Sequence, residues 1–382
     1  MNNDSPLIFI SYATADRSRV VGFYDHLKRE GFNVWIDCKD IKGGHNIEYA
    51  IRSALDKAEI VVVFMSGNST GHRGYVQHEL RLALEKAREK LISDIYLVPV
   101  LLDQGMEIPR EVLDIHCIDG SLPNACEELI GSISHQLGQI RSETQDVQRR
   151  TNVTWSKKTH RDSWEGLPGY VAEFSILVLS SDKYKPINDI TNVILGEMTK
   201  LMMEQRQVRW DQPATPSVPS FAQSQTNAFH ASCGEPFIKG SVLSISYNVF
   251  SYWAGAAHSN TYHRTFSFFL EPVMLIPRIE LAFQDQGEAL EVIKTGIRRE
   301  LLADSSDSSD SSRDWVWRGT DHWDNLQSFV FRDDAIEFLF APYTVGPYSR
   351  GSQSALIKYS EIVQLMRHEF VHALDISHLN CR

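Results

Sequence analysis

The chain has 382 residues, of which 42% are hydrophobic and 23% charged, and its net charge at pH 7 is −11. This length favours two domains, because a single domain commonly holds about 100–200 residues. The composition excludes a wholly disordered, collagen-like or coiled-coil chain. The acidic balance argues against a nucleic-acid partner, since nucleic acids are held mainly through basic contacts to their phosphates.

The sequence has no sign of a membrane segment or of export. No apolar run approaches the roughly 18 residues needed to span a bilayer, and the first residues lack the charged and apolar regions of a signal peptide. We therefore expect a cytoplasmic protein with no membrane partner. Widely spaced cysteines without a CxxC pair predict free thiols. They are Cys38, Cys117, Cys126, Cys233 and Cys381.

The first 140 residues alternate short apolar strands with amphipathic helices. The predicted strands are Leu7–Ile10, Asn33–Ile36, Ile60–Met65, Ile95–Leu102 and a short one near Ile115–Ile118. Such alternation is typical of a parallel sheet covered by helices on both faces. We predict an α/β domain over residues 1–141 with a flavodoxin-like open parallel sheet of five strands. Ligands of such sheets bind beyond the carboxyl ends of the strands.

Residues 142–165 are polar and lack apolar periodicity, which predicts an interdomain linker. Residues 166–382 are predicted to form an α+β domain with an antiparallel sheet. Its expected elements are a strand at 170–179, a helix around 187–202, a hairpin of 241–253 and 261–270, a helix near 289–302, a hairpin of 329–331 and 336–340, and a helix from about 360. The serine- and aspartate-rich run 305–312 is predicted to be a disordered loop.

Residues 6–140 resemble a Toll/interleukin-1 receptor (TIR) domain through several motifs in order. The motifs are Phe9-Ile10-Ser11-Tyr12, Gly31-Phe32-Asn33-Val34-Trp35-Ile36-Asp37, Gly43-Gly44, Ser66 after the third strand, and Tyr75-Val76-Gln77-His78-Glu79-Leu80. Each motif falls on the expected strand, loop or helix. The resemblance therefore implies the TIR fold for the whole N-terminal domain.

TIR domains of bacteria, plants and the animal axon-degeneration NADase cleave NAD at the nicotinamide–ribose bond with one glutamate. The matching residue here is Glu79. One carboxylate can suffice because nicotinamide leaves as a neutral base, so no general acid is needed. The transition state needs an anion near the oxocarbenium ion and an acceptor for the ribose hydroxyls. The resemblance thus implies NAD as the substrate and no separate cofactor.

The same resemblance implies further NAD-binding residues. Tyr12, Ala13 and Thr14 follow the first strand, Lys42 lies in the Gly43-Gly44 loop, and Tyr75 precedes the glutamate. The axon-degeneration enzyme has two arginines where this chain has Ala13 and Thr14, so its phosphate contacts must differ. We expect Asp37 to organise its loop, and Tyr75 either to stack on a base or to pack at a helix start. Sites of this family are completed by a neighbouring domain, which predicts self-association.

Residues 168–365 resemble the ligand-binding portion of RsiV-type anti-sigma factors and a related domain of peptidoglycan deacetylases. The matching segments are Ile187-Asn188-Asp189-Ile190, Trp253-Ala254-Gly255-Ala256-Ala257-His258-Ser259-Asn260 and Phe340 to Gly351. The resemblance implies a sensor for an unknown protein or small ligand. Loops on a rigid scaffold commonly carry recognition. We expect the ligand surface to include the turn around His258 and Asn260 and the segment 342–351.

A competing motif lies near the end of the sequence. His368-Glu369-Phe370-Val371-His372 is an HExxH sequence, and His378 follows at the spacing of a third zinc ligand. Asp375 stands where such proteases have a glycine, and four residues after His378 leave no room for a Met-turn. Phe370, Val371 and Leu374 also form an ordinary packing stripe. We therefore expect no metal site.

These observations favour an immune effector against phage that depletes NAD when its C-terminal sensor is engaged. Two alternatives stay open. One is a TIR adaptor that assembles with other TIR domains without catalysis, and the other is a zinc peptidase built on the HExxH helix.

Overall fold

The computed structural model describes residues 6–41, 47–67, 97–106, 112, 115–166, 169–206, 226–256, 258–303 and 310–381. The chain divides into two compact units, Met1–Val147 and Gln148–Arg382.

The N-terminal unit is a parallel α/β sheet. Its strands are β1 (Leu7–Tyr12), β2 (Asn33–Trp35), β3 (Ala58–Met65), β4 (Leu97–Leu101) and β5 (Ile118–Asp119). Its described helices are α1 (Arg17–Arg29), α2 (Asp37–Asp40), α3 (Ile47–Lys57) and α4 (Ala125–Thr151). The strand order is β2-β1-β3-β4-β5 with every neighbouring pair parallel. The predicted open parallel sheet of five strands is confirmed.

The two faces of β3 explain why this strand is apolar from Ile60 to Met65. Val62 and Phe64 lie in a core that the residues of α1 and α4 complete. Val61 and Val63 lie in a second core with residues of α3. A strand buried on both faces loses the usual alternation of apolar and polar residues, as parallel sheets commonly do.

The segment 142–165 has regular secondary structure and is not the irregular linker expected from its composition. Helix α4 continues to Thr151, and strand β6 begins at Thr154 and ends at Trp164. Most side chains of β6 are exposed or only half-buried. Apolar periodicity appears only where one face is buried, so a solvated helix end and an exposed strand give none.

The C-terminal unit holds two sheets. After β6 its strands are β7 (Gly169–Ser180), β8 (Thr226–Cys233), β9 (Phe237–Lys239), β10 (Val242–Tyr252), β11 (Asn260–Leu270), β12 (Val273–Leu275), β13 (Phe329–Phe331), β14 (Ala335–Phe340) and β15 (Gln353–Lys358). Its helices are α5 (Asn188–Arg206), α6 (Gln286–Ala303), α7 (Asp310–Thr320), α8 (Tyr359–Ile362) and α9 (His368–Ala373).

The larger sheet has the order β12-β11-β10-β8-β7-β6, with β9 also on β10, and the smaller has the order β13-β14-β15. The predicted antiparallel hairpins are confirmed as β10–β11 and β13–β14. One neighbouring pair, β7–β8, is parallel. Parallel neighbours need a crossover connection, and α5 lies in that connection.

Two cores stabilise this unit. Helix α5 contributes Ile190, Ile194 and Met198 to a core against the larger sheet. Helix α6 contributes Ile293 and Ile297 to a core against the smaller sheet. Both helices were predicted from the sequence, around 187–202 and near 289–302, and their buried residues recur at the spacing of one helical face.

Two expectations near the end of the chain need correction. The run 305–312 was predicted to be a disordered loop, but α7 already begins at Asp310, while residues 304–309 lie outside the described part. The single helix expected from about residue 360 is broken between α8 and α9. There, Met366 forms a bridge with Phe283, and the Arg367 amide donates to the Ala282 carbonyl at 2.8 Å. These tertiary hydrogen bonds replace helical ones.

Candidate functional site

The carboxyl ends of β1 and β2 are joined by a tyrosine–aspartate pair. Tyr12 is the last residue of β1, is 8% exposed, and donates its hydroxyl to Asp37 Oδ1 at 2.8 Å. The Cys38 amide donates to the same oxygen at 2.6 Å. Burial is the main cause that raises the pKa of Tyr12, and its hydrogen bonds with Cys38 and Asp37 raise it further. The Tyr12 hydroxyl therefore stays protonated and joins the end of β1 to the loop after β2.

A second set of contacts joins the ends of β1, β3 and β4. The Ser66 hydroxyl, directly after β3, donates to the buried carboxylate of Asp16. The next amide, of Gly67, donates to Asp103 Oδ2 at 2.9 Å. Arg19 lies 2.8 Å from Asp103 Oδ1. The chain is thus held at the first two residues after β3, where the segment that carries Glu79 in the sequence begins.

Folding lowers the pKa of Asp103 in this set of contacts. The Gly67 amide is the main cause that lowers the pKa of the Asp103 carboxyl, and the Arg19 guanidinium lowers it further. A carboxyl whose pKa is lowered by folding stabilises the folded state above the unfolded pKa of about 3.9. That contribution is lost as the pH falls through the lower pKa of the folded state.

The free energy of unfolding of Asp103→Asn should therefore fall less steeply at acid pH than that of wild type. We expect wild type to lose more stability than the variant between about pH 5 and pH 2, because the amide has no charge to lose. Urea unfolding midpoints measured over this range check the prediction. Asp25→Asn on the exposed face of α1 removes the same charge and is the control. Equal slopes for wild type and Asp103→Asn would contradict the assigned role of Asp103.

The predicted NAD-binding residues fall into two groups. Tyr12 and Ala13 are buried at the end of β1, and Thr14 is exposed in a short 3₁₀ helix. Lys42, Tyr75 and Glu79 lie outside the described residues. The structure therefore places only the β1 end of the predicted pocket.

The sequence reasoning missed two basic residues at this edge of the sheet. Arg17 and Arg19 open α1 with exposed side chains. Arg17 Nε lies 3.5 Å from Tyr12 Oη, and this hydrogen bond is the main cause that raises the pKa of Arg17. The signal in the sequence was the Arg17-Ser18-Arg19 run, three residues after the positions where a phosphate contact was sought.

A group of aromatic rings, three of them exposed and one half-buried, lies on the C-terminal unit. We call it the aromatic cluster, and its members are His258, Trp315, Tyr343 and Tyr348. The His258 ring centroid lies 4.8 Å from that of Tyr348, and the Tyr343 centroid lies 5.5 Å from Tyr348 and 6.5 Å from Trp315. Tyr343 has a φ of 70°, a left-handed conformation that is uncommon for a residue with a side chain.

Hydrogen bonds fix the two loops that carry His258, Tyr343 and Tyr348, while Trp315 lies on α7. The Ser259 carbonyl accepts from the Tyr348 hydroxyl at 3.4 Å and lies 2.9 Å from His258 Nδ1. The Ala254 amide donates to Asn227 Oδ1 at 2.8 Å. The turn around His258 and the segment 342–351 therefore share one surface, although about 85 residues separate them in the sequence.

The HExxH motif forms the short helix α9. Its packing stripe is buried, and His368, Glu369 and His372 are exposed on the opposite side. The two histidine rings have centroids 6.4 Å apart. Within the described ranges, no three or more His, Cys, Asp or Glu side chains are grouped so as to hold a metal ion.

None of the described helices combines the length and the apolar character needed to cross a membrane.

The protein thus consists of an open parallel α/β unit followed by an α+β unit. Residues 8–130 match the TIR domain family, and residues 283–360 match a family described as protein of unknown function (DUF3298). The chain therefore carries a TIR domain and a DUF3298 domain. No curated protein matches it.

Solved structures are similar to each part of the chain. A DUF3298 family protein from Bacteroides fragilis is 12% identical, with a TM-score of 0.42, over 58% of this chain and 98% of its own. Another from Pseudomonas aeruginosa is 14% identical, with a TM-score of 0.40, over 56% of this chain and 94% of its own. The TIR domain of a Toll-related receptor from Hydra magnipapillata is 20% identical, with a TM-score of 0.28, over 33% of this chain and 97% of its own.

Proposed function

We propose that the TIR domain hydrolyses NAD at the nicotinamide–ribose bond with Glu79 as the catalytic residue. The observation that carries the proposal is the arrangement at the carboxyl edge of the sheet. Two sets of hydrogen bonds hold the loops after β1, β2 and β3 there. Open parallel sheets bind ligands at this edge. The TIR match over residues 8–130 includes position 79 and supports the same assignment.

The proposed reaction needs no general acid. The bond between the ribose C1′ and the nicotinamide nitrogen breaks, and its electron pair leaves with the neutral nicotinamide. A water oxygen forms the new bond to C1′ and releases its proton to solvent, which gives ADP-ribose. The Glu79 carboxylate faces the oxocarbenium ion and accepts from a ribose hydroxyl. Thr14, Lys42 and Tyr75 line the nucleotide, and Tyr12 and Ala13 shape the wall behind it.

Arg17 is our candidate for the phosphate contact that Ala13 and Thr14 cannot supply. Its guanidinium is exposed beside the end of β1 and keeps its charge at all working pH values. An arginine offers several donors to phosphate oxygens, so one residue suffices to orient the pyrophosphate.

The C-terminal unit is proposed to regulate this reaction by binding a protein or small ligand at the aromatic cluster. Aromatic rings on two fixed loops and on α7 provide large contact areas with little loss of conformational entropy on binding. A ligand changes activity only through its different affinities for the silent and active states. In a cell, an engaged sensor would thus deplete NAD as a defence against phage.

NAD cleavage should depend steeply on protein concentration. TIR sites of this class are expected to be completed by a neighbouring copy, so dilution should lower the activity per molecule. Nicotinamide release from NAD, measured over a hundredfold dilution of the full chain, checks this prediction. Specific activity that stays constant would contradict shared sites. No release at the highest concentration, with the chain folded, would instead favour the non-catalytic adaptor.

A further inference from the structure

Strand β6 forms the outer edge of the larger sheet among the described residues. Its eleven residues pair on one side with β7, from Thr154 opposite Ser180 to Trp164 opposite Tyr170. Alternate backbone N–H and C=O groups of such a strand point away from the sheet. A strand of this length at a sheet edge is a ready template for a further strand.

Two opposite charges on β6 lie at equal distances from His160, one residue beyond the middle of the strand. Lys158 lies two residues before His160, and Asp162 lies two residues after it. Lys158 is exposed and forms no ion pair with any described residue. Charged side chains, lysine above all, commonly protect an edge strand from pairing, unless the added strand brings an opposite charge to them. A strand with opposite charges at matching positions is complementary to a second copy of itself.

Sheet geometry restricts how two copies of β6 can pair. Two copies that extend one antiparallel sheet, with the same face up, are related by a twofold axis perpendicular to the sheet. Residues directly opposite each other must point to the same face. The axis must therefore pass through a residue that faces its own copy, rather than between two residues.

The charges then distinguish the possible centres. A centre at Thr159 would place Lys157 opposite Arg161. A centre at Lys157, Lys158 or Arg161 would place two like charges directly opposite each other. A centre at His160 places Lys158 opposite Asp162 on both sides of the axis, and opposite charges across a strand pair stabilise it.

The Asp162 carboxylate is already held in a fixed orientation, ready to contact Lys158 of the other copy. Its carboxylate accepts from the Tyr170 hydroxyl at 2.8 Å and from Arg206, which fix its orientation. An ionised carboxylate can accept about four hydrogen bonds, so capacity is left for a lysine. In the same register, Trp164, which is 54% exposed, lies opposite Ser156 and diagonal to the lysine of the other copy. A lysine against a tryptophan ring is a favourable pair.

We propose that β6 is an interface between two copies of this chain, which pair antiparallel about His160. The pairing extends the larger sheet across both copies. It brings two N-terminal units into one particle, and it does not depend on whether those units cleave NAD.

Cysteine cross-linking tests the register directly. In an antiparallel pair centred on His160, the two Cα atoms at position 160 lie about 4.5–5.5 Å apart, within the range of a disulfide. His160→Cys should give a reducible dimer with the linkage mapped to residue 160. Thr159→Cys is the matched control, because its two copies are separated by roughly 8 Å. Equal cross-linking of the two variants, or none at position 160, would overturn the register.

Charge reversal tests the interface without cross-linking. Analytical ultracentrifugation of the full chain should give twice the chain mass of 43.5 kDa at high concentration. Lys158→Glu places two like charges opposite each other and should weaken the dimer at least tenfold. Lys200→Glu makes the same charge change at an exposed position of α5 and should leave it unchanged. A monomer at all concentrations, or equal dimerisation of Lys158→Glu, would overturn the proposal.

Discussion

Glu79→Gln is expected to lower the rate of NAD cleavage about 10²–10³-fold, the usual loss when one catalytic electrostatic contact is removed. The amide has nearly the shape of the carboxylate but carries no negative charge to stabilise the oxocarbenium ion. The sequence predicts a helix at Glu79, and substitutions on a helix surface usually change stability by less than ~0.5 kcal/mol. Initial rates of nicotinamide release by the full chain, at a concentration where wild type is active, measure the effect.

Two comparisons make this experiment specific. Glu30→Gln, at an exposed residue that ends α1, removes an equal charge and should keep the wild-type rate. Circular dichroism and the unfolding midpoint establish that Glu79→Gln is folded. A folded Glu79→Gln protein that cleaves NAD at the wild-type rate would remove Glu79 from the mechanism.

Gly240→Ala should destabilise the C-terminal unit by about 2–5 kcal/mol. Gly240 has a φ of 58°, and a Cβ atom there would lie 2.1 Å from the Ala373 carbonyl oxygen. The next amide, of Ser241, donates to that same carbonyl at 2.7 Å, so the two backbones cannot separate without losing a hydrogen bond. The left-handed conformation costs roughly 1–2 kcal/mol, and overpacking adds about 1–3 kcal/mol.

Gly255→Ala separates the two contributions. Gly255 has a φ of 84°, but no atom lies within 4 Å of the added Cβ, so only the conformational cost of about 1–2 kcal/mol is expected. Urea unfolding followed by tryptophan fluorescence reports mainly on this unit, because all eight tryptophans except Trp35 lie after residue 148. Equal destabilisation by the two variants would mean that the contact with Ala373 is relaxed at little cost.

The parallel sheet could be predicted because the apolar residues that form each strand are neighbours in the sequence. Ile60 to Met65 is apolar at every position, which occurs where both faces of a strand are buried. The hairpin β10–β11 was predictable for a similar reason, since its two strands flank a short turn with glycine. The candidate catalytic residue came from a motif resemblance, and its assignment stays a prediction because Glu79 lies outside the described residues.

Segments with few buried side chains were predicted less well. The polar stretch 142–165 looked like a linker because an exposed helix end and an edge strand leave no periodic signal. The break between α8 and α9 depends on hydrogen bonds with residues 282–283, which no local pattern contains.

The sequence by itself determined the five strands of the TIR domain, the α+β character of the second unit and the candidate catalytic glutamate. Only the tertiary structure decided that Asp16, Arg19, Ser66 and Asp103 meet at one sheet edge and that the members of the aromatic cluster share a surface. Local periodicity depends on which face of an element is buried, so neighbouring residues encode it. Contacts between distant segments depend on how whole strands and loops pack, which no single stretch of sequence records.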